Sequence, residues 1–262
     1  MLRFVRSCYR IVLLVALFAY GVLSLLIRRP RTRAARAEWL HRFSILLLRR
    51  LGITARQRGT YPVSGVVISN HMGYLDIITF AALHRCVFVA KSDIASWPVI
   101  GWMTTMSGTV YVERGRGGSA QRAQADLAEV AREKVPIVFF PEGTSSDGET
   151  VLPFRSGLLA NCLAARQTIT AACVHYRLTR DNPGVVLGTQ VAYWDDTPLP
   201  LHIFRLLGMR GIEIEVTFSD APIAFSPAAL SDRRTAAEEA RTAVLALRQD
   251  RSEATDALTT VN

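Results

Sequence analysis

A histidine and an aspartate five residues apart follow the short apolar segment VVIS. His71 could act as a general base, and the carboxylate of Asp76 could orient its imidazole. On one continuous helix the two side chains would lie about 140° apart and could not meet. They can meet if His71 lies in a turn and Asp76 in the first turn of a following helix, and Gly73 favours such a turn. The alternative is a loop histidine followed by an aspartate that only stabilises a helix start.

Polar clusters follow two other apolar segments. The segment GTVYVER ends in Arg114, and an arginine at a strand end can bind a phosphate or a carboxylate. The segment FFPEGTSS brings together a carboxylate, a glycine with accessible backbone N–H groups and a hydroxyl, at Glu142, Gly143 and Thr144. Arg155 in the segment PFRSG is a second candidate anion contact. The alternatives are a solvated surface arginine and an ordinary turn.

Segments rich in apolar and β-branched residues alternate with helical patterns from residue 63 onward. This alternation predicts an α/β fold, with a single layered domain whose largely parallel or mixed sheet is flanked by helices. Active sites of such sheets lie in the loops at strand ends, where the three clusters fall. The expected strands are 66–69, 86–90, 109–112, 135–140, 169–175, 185–192 and 212–218, and the expected helices are 75–83, 94–106, 119–134 and 227–247.

The net charge of +9 on 262 residues is unevenly distributed. Residues 1–60 contain thirteen arginines against one acidic residue, whereas the remaining 202 residues have a net charge of −3. A nucleic-acid partner is therefore not expected, because the folded part is acidic and its aromatic residues do not alternate with basic ones.

An uncharged apolar run of 17 residues extends from Ile11 to Ile27. Arginines follow it directly, whereas a signal peptide has a small-residue cleavage site at this point, so a membrane segment is favoured over a signal peptide. The run predicts a membrane anchor that spans or lies in the bilayer, with the arginines facing anionic lipid. The flank after the run is the more basic, which favours a cytoplasmic position for the main domain. The expected division is a basic, apolar, helical anchor over 1–60 and a catalytic domain over 61–262.

Three segments in this order resemble the motifs of one enzyme family. NHMGYLD matches an NHxxxxD motif, GTVYVER resembles a second motif that ends in arginine, and FFPEGTSS matches an FPEGT motif. These are motifs of the glycerolipid acyltransferases related to 1-acylglycerol-3-phosphate O-acyltransferase. The resemblance covers about residues 60 to 220, and an N-terminal membrane segment is in keeping with it.

The resemblance implies that a fatty acyl group moves from acyl-CoA or acyl-carrier protein to the hydroxyl of a lysophospholipid, most simply 1-acylglycerol-3-phosphate. It implies that His71 is the general base and that Asp76 orients it. Six residues would bind substrate: Asn70, Arg114, Glu142, Gly143, Thr144 and Arg155. Membrane lipids, the lysolipid acceptor and the thioester donor are the implied partners, and no metal or other cofactor is required.

One segment departs from the family pattern. The fourth motif has an apolar strand with a proline, whereas the segment here, TITAACVHY, has none. The continuation SSDGETVLPFRSGLL is similar to the branch that acylates lyso-ornithine lipids, so this acceptor or another lysolipid is the alternative. Two other functions stay open: a non-catalytic protein that binds anionic lipid, and a hydrolase that uses the same histidine and aspartate on a thioester.

Overall fold

A computed structural model describes residues 1–96, 100–112, 128–130 and 132–259. Within these residues the helices are α1 (Leu2–Arg28), α2 (Arg33–Leu51), α3 (Tyr74–Leu83), α4 (Ile100–Met106), α5 (Ser156–Ala164), α6 (Leu187–Gln190), α7 (Leu199–Leu207), α8 (Pro227–Ser231) and α9 (Arg233–Thr259). The strands are β1 (Ile53–Arg58), β2 (Val66–Ser69), β3 (Val87–Lys91), β4 (Val110–Val112), β5 (Ile137–Phe139), β6 (Ile169–Leu178) and β7 (Ile212–Phe218). A 3₁₀ helix, Ser92–Ser96, follows β3.

The described strands form one sheet in the order β1-β7-β6-β2-β5-β3-β4. Neighbours are parallel except β6 and β7, which are antiparallel. The predicted mixed α/β fold is therefore confirmed. Because β2 and β5 are parallel neighbours, the loops that follow them meet at one edge of the sheet. The first and third sequence clusters are those loops.

Helices cover both faces of the sheet. On one face, α1, α2 and α3 bury residues such as Leu48 and Phe80 against β6 and β7. On the other face, α5 and α9 bury Leu159 and Ala240 against β2 and β5. The central strand β2 is buried along its whole length, which explains why Val66, Val67 and Ile68 are consecutive apolar residues instead of alternating with polar ones.

Two of the predicted elements are wrong. The expected strand 185–192 contains the helix α6, because Leu187 and Val191 are four residues apart, a helical spacing, and the carbonyl of Leu187 accepts the N–H of Val191. The expected single helix 227–247 is two helices that break at Asp232, which is extended and accepts the N–H of Thr235. The expected helix 119–134 lies for the most part outside the described residues.

The N-terminal segment is packed onto the domain. Helix α2 packs against α3, and Phe4 of α1 contacts Phe204 of α7 edge to face. Strand β1 pairs with β7, although it precedes residue 60, where the sequence placed the domain boundary. The sheet thus begins at Ile53, inside the segment that was expected to be the anchor.

One face of α1 is apolar and exposed along the whole helix. Leu2, Val5, Tyr9, Val12 and Leu23 all expose more than half of their surface. The helix is the one in the described part that is long and apolar enough to cross a membrane. Its opposite face, with Ser7, Leu17, Gly21 and Ser24, is buried against the protein.

Candidate active site

His71 and Asp76 meet in the turn between β2 and α3. Nδ1 of His71 lies 2.8 Å from Oδ2 of Asp76. The aspartate is fully buried in the first turn of α3, and the same oxygen accepts the N–H groups of Met72 at 2.6 Å and Gly73 at 3.1 Å. The carboxylate keeps the proton of the imidazole on Nδ1, which leaves Nε2 as the nitrogen that can accept a proton. The turn therefore has the geometry that the five-residue spacing required.

Gly73 makes this turn possible. Its φ is 146°, and a Cβ at this position would lie 3.0 Å from the backbone nitrogen of Tyr193. The same nitrogen donates a hydrogen bond to the carbonyl of Met72, so the segment at 193 closes directly over the turn. A side chain at position 73 would thus push the turn away from its neighbour.

The loop after β5 holds the backbone of His71 from the other side. Oε1 of Glu142 accepts the N–H of His71 at 3.0 Å, and the N–H of Ser146 donates to the carbonyl of His71 at 2.8 Å. The ring of Phe140 stacks on the imidazole, with ring centroids 4.1 Å apart. The loop after β5 and Asp76 therefore together fix the position and the plane of the histidine ring.

The carboxyl group of Glu142 is buried, and this burial raises its pKa to about 7. The backbone N–H groups of His71 and Leu152 oppose the rise, and the nearby charge of Asp76 adds to it. The group therefore exchanges its proton near neutral pH, close to the imidazole.

Some of the residues predicted to bind substrate lie at the edge of the sheet that carries the turn after β2. Arg155 is exposed, and its Nε lies 3.4 Å from the carbonyl of Glu142. Gly143 forms the turn with φ 70°, and Thr144 is exposed beside it. Asn70 is different, because it is buried and its amide bonds both the N–H and the carbonyl of Val174 in β6. Its side chain therefore joins the turn to the sheet, and substrate binding by Asn70 stays a prediction.

Arg114, the predicted contact for the phosphate or headgroup, lies outside the described residues, two positions beyond the end of β4. Among the described residues, no three histidine, cysteine, aspartate or glutamate side chains form a group that could hold a metal ion.

Two residues at the site were not among the predicted ones. Tyr176 of β6 donates a hydrogen bond to Oδ1 of Asp76 at 2.5 Å, and Phe140 stacks on His71. Phe140 belongs to the FFPEGT segment, so the sequence contained a signal that could have predicted its position at the site. Tyr176 is 100 residues from Asp76, and no local pattern connects the two.

His71 and Asp76 thus lie on the turn after β2, and Glu142 from the loop after β5 holds the backbone of His71. The family model described as Acyltransferase matches residues 53–175, which include the turn and the FPEGT loop.

The chain is also similar to relatives with known names. The chain is 38% identical over 59% of its length to a protein from Rhodobacter capsulatus named lyso-ornithine lipid O-acyltransferase, of which the match covers 56%. It is 32% identical over 70% of its length to a protein of the same name from Brucella abortus, of which 71% is covered. A 1-acyl-sn-glycerol-3-phosphate acyltransferase from Neisseria gonorrhoeae is 30% identical over 60% of both chains.

A solved structure has the same fold. The crystal structure of the 1-acyl-sn-glycerophosphate acyltransferase PlsC from Thermotoga maritima matches 90% of this chain and 94% of its own, with a TM-score of 0.59 and 16% identity. The chain belongs to the acyltransferase family that includes these lysolipid O-acyltransferases.

Proposed function

We propose that the chain is an O-acyltransferase of glycerolipid biosynthesis that moves a fatty acyl group from a thioester to the hydroxyl of a lysolipid. The His71–Asp76 pair carries this proposal, because it presents an oriented imidazole at the strand edge where such sheets bind substrate. The names of the relatives support the same reaction class.

In the proposed reaction, Nε2 of His71 takes the proton of the acceptor hydroxyl while the hydroxyl oxygen attacks the thioester carbonyl. The tetrahedral intermediate collapses and expels the thiolate, which receives the proton from the imidazolium. The oxyanion of this intermediate requires hydrogen-bond donors close to the reacting carbonyl. The donor is acyl-CoA or acyl-carrier protein, and no metal or other cofactor takes part.

Lyso-ornithine lipid is the acceptor we favour, because two of the relatives with that name reach 38% and 32% identity. The 1-acylglycerol-3-phosphate acceptor is the second candidate, supported by the relative from Neisseria gonorrhoeae at 30% identity. Arg155, which is exposed at the same edge, is proposed to face the acceptor headgroup.

We place the protein at a membrane, through the exposed apolar face of α1. The excess of arginines after the apolar run supports a cytoplasmic position for the catalytic domain. Protease protection in inverted and right-side-out vesicles tests this orientation.

The reaction is tested with the purified full-length protein in vesicles, radiolabelled acyl-CoA or acyl-carrier protein, and a panel of lysolipids. We expect one acceptor to gain the label and His71→Ala to lower the rate by about 10² to 10⁴ fold. Release of free fatty acid with every acceptor would indicate a hydrolase instead. Binding of anionic vesicles without turnover of any thioester would indicate a binding protein.

A further inference from the structure

The buried carboxylate of Asp76 has donors on both of its oxygens. Oδ2 accepts three hydrogen bonds from the turn itself, from the imidazole of His71 and from two backbone N–H groups. Oδ1 accepts the hydroxyl of Tyr176 at 2.5 Å. Because the carboxylate is fully buried, loss of that hydroxyl would leave a charged oxygen without its donor.

The pairing of β6 with β2 places Tyr176 beside Asp76. Strand β6 runs parallel to β2 up to the pair Ser69 and Ala172 and then continues past the end of β2. Its backbone at Val174 is bonded to Asn70, so the turn and the extended end of β6 are held together. Tyr176 lies two residues further along the same strand and is 1% exposed, under the turn. It therefore cannot touch substrate.

Tyr176 is a reliable donor. Burial raises its pKa well above the ordinary value for tyrosine, and the charge of Asp76 raises it further. The phenol therefore keeps its proton at neutral pH and can donate to the carboxylate.

We propose that Tyr176 is a positioning residue for the reaction: its hydroxyl fixes the rotation of the Asp76 carboxylate and withdraws part of its charge, so that Oδ2 stays on Nδ1 of His71. This inference rests on the proposed roles of His71 and Asp76. Tyr176 is thus the third member of a chain of hydrogen bonds that runs from the sheet to the catalytic imidazole.

Removal of the hydroxyl has two consequences. The carboxylate loses the contact that fixes its orientation, which lowers kcat. Its charge also becomes more available to the protonated imidazole, so the acid limb of the pH profile moves to higher pH. The other titratable groups that face this cluster are Glu142 from the loop after β5 and Tyr74 from α3, and neither is changed by the substitution.

The test is Tyr176→Phe in the full-length enzyme in vesicles. We expect kcat to fall about tenfold with KM unchanged, since a hydrogen bond to a charged group has been lost. In the pH profile of kcat/KM, the acid limb should move to higher pH by about half a pH unit to one pH unit. Tyr61→Phe is the matched control, because Tyr61 is also fully buried but its hydroxyl faces the thiol of Cys86. The control should keep the wild-type kcat and acid limb.

Incorporation of 3-fluorotyrosine at position 176 provides a second measurement that retains the side-chain volume. The more acidic phenol is a stronger donor, so the acid limb should move to lower pH, opposite to the effect of Tyr176→Phe. The 3-fluorotyrosine measurement tests the proposed role of Tyr176 even if the Tyr176→Phe variant does not fold.

A double-mutant cycle with Asp76→Asn shows whether Tyr176 acts through the aspartate. In the Asp76→Asn background, Tyr176→Phe should cause little further loss. An equal loss in both backgrounds, or a Tyr176→Phe enzyme with wild-type kcat and pH profile, overturns the inference while the proposed reaction stands. Wild-type activity of Asp76→Asn alone overturns both.

Discussion

The turn after β2 and the helix α1 are attached to the same domain in opposite ways. In the turn, His71 and Asp76 are held by hydrogen bonds from α3, from the loop after β5 and from β6. Helix α1 packs along one face, exposes an apolar face on the other side, and makes polar contacts with the rest of the domain near its N-terminus. Several elements therefore hold the turn at once. A site that must keep an imidazole within a fraction of an ångström needs such support.

The same comparison changes how the arginines are interpreted. The sequence predicted that they face anionic lipid, but Arg6 and Arg10 donate to the carbonyls of Leu207, Gly208 and Met209, at the end of α7. A helix leaves its last carbonyls without partners, and a cation there also meets the negative end of the helix dipole. Arg28, Arg29 and Arg31, at the other end of α1, are exposed and remain available to lipid. Total charge therefore did not identify the partner of each arginine.

The largest expected effect comes from the turn. In Asp76→Asn the amide oxygen can keep the three donors on Oδ2, and the hydroxyl of Tyr176 can turn to accept from the amide nitrogen. The fold is therefore retained, but the imidazole loses the charge that stabilises its protonated form. We expect kcat to fall about 10² to 10⁴ fold in the thioester assay. Binding of the variant to vesicles should not change. Loss of both kcat and vesicle binding would mean that the turn and the helix α1 are not independent.

The second effect is on stability and concerns Glu142. Its pKa is about 7 in the folded protein against an ordinary value of 4.5. The folded state thus binds the proton more tightly than the unfolded state, and the free energy of unfolding decreases as pH rises from about 4.5 through about 7. Glu142→Gln resembles the protonated form and should escape this decrease, which amounts to about 3 kcal/mol by pH 8.

Urea unfolding of the wild type and Glu142→Gln in detergent at pH 4.5, 6 and 8 measures this difference. Glu149→Gln is the control, because Glu149 is exposed, and its curve should follow the wild type at each pH. Parallel curves for wild type and Glu142→Gln would show that the buried carboxyl does not take up a proton in this range.

The sequence predicted what depends on local pattern and missed what depends on distant neighbours. The histidine and aspartate could be placed on a turn because their separation is incompatible with one helix. Strand β1 was missed because its exposed arginines resemble a loop, whereas Arg56 pairs with Glu213 of the neighbouring strand. The contact between Tyr176 and Asp76 could not be predicted, since only the sheet order brings residues 100 positions apart together.

The third effect tests the anchor. Val12 is 70% exposed on the apolar face of α1, so Val12→Asp leaves the fold intact but places a charge where the membrane should be. We expect partition to vesicles to fall at least about tenfold in flotation assays. The control is Val63→Asp, because Val63 is 74% exposed near the start of β2. Loss in both neutral and anionic vesicles supports apolar insertion, whereas loss only in anionic vesicles indicates that charge alone binds the protein.

The smallest expected effect is on stability, and it tests whether Arg10 binds the end of α7 or faces lipid. Arg10 donates to the carbonyls of Leu207 at 3.1 Å and Met209 at 2.8 Å, so Arg10→Met should lower the free energy of unfolding by about 1 to 2 kcal/mol. Arg50→Met, at the exposed end of α2, is the control and should cause no measurable change. Binding to anionic vesicles should be the same for both variants. If Arg10→Met instead keeps the wild-type stability and binds anionic vesicles more weakly, Arg10 faces lipid as the charge pattern predicted, and α1 is held to the domain by its apolar contacts alone.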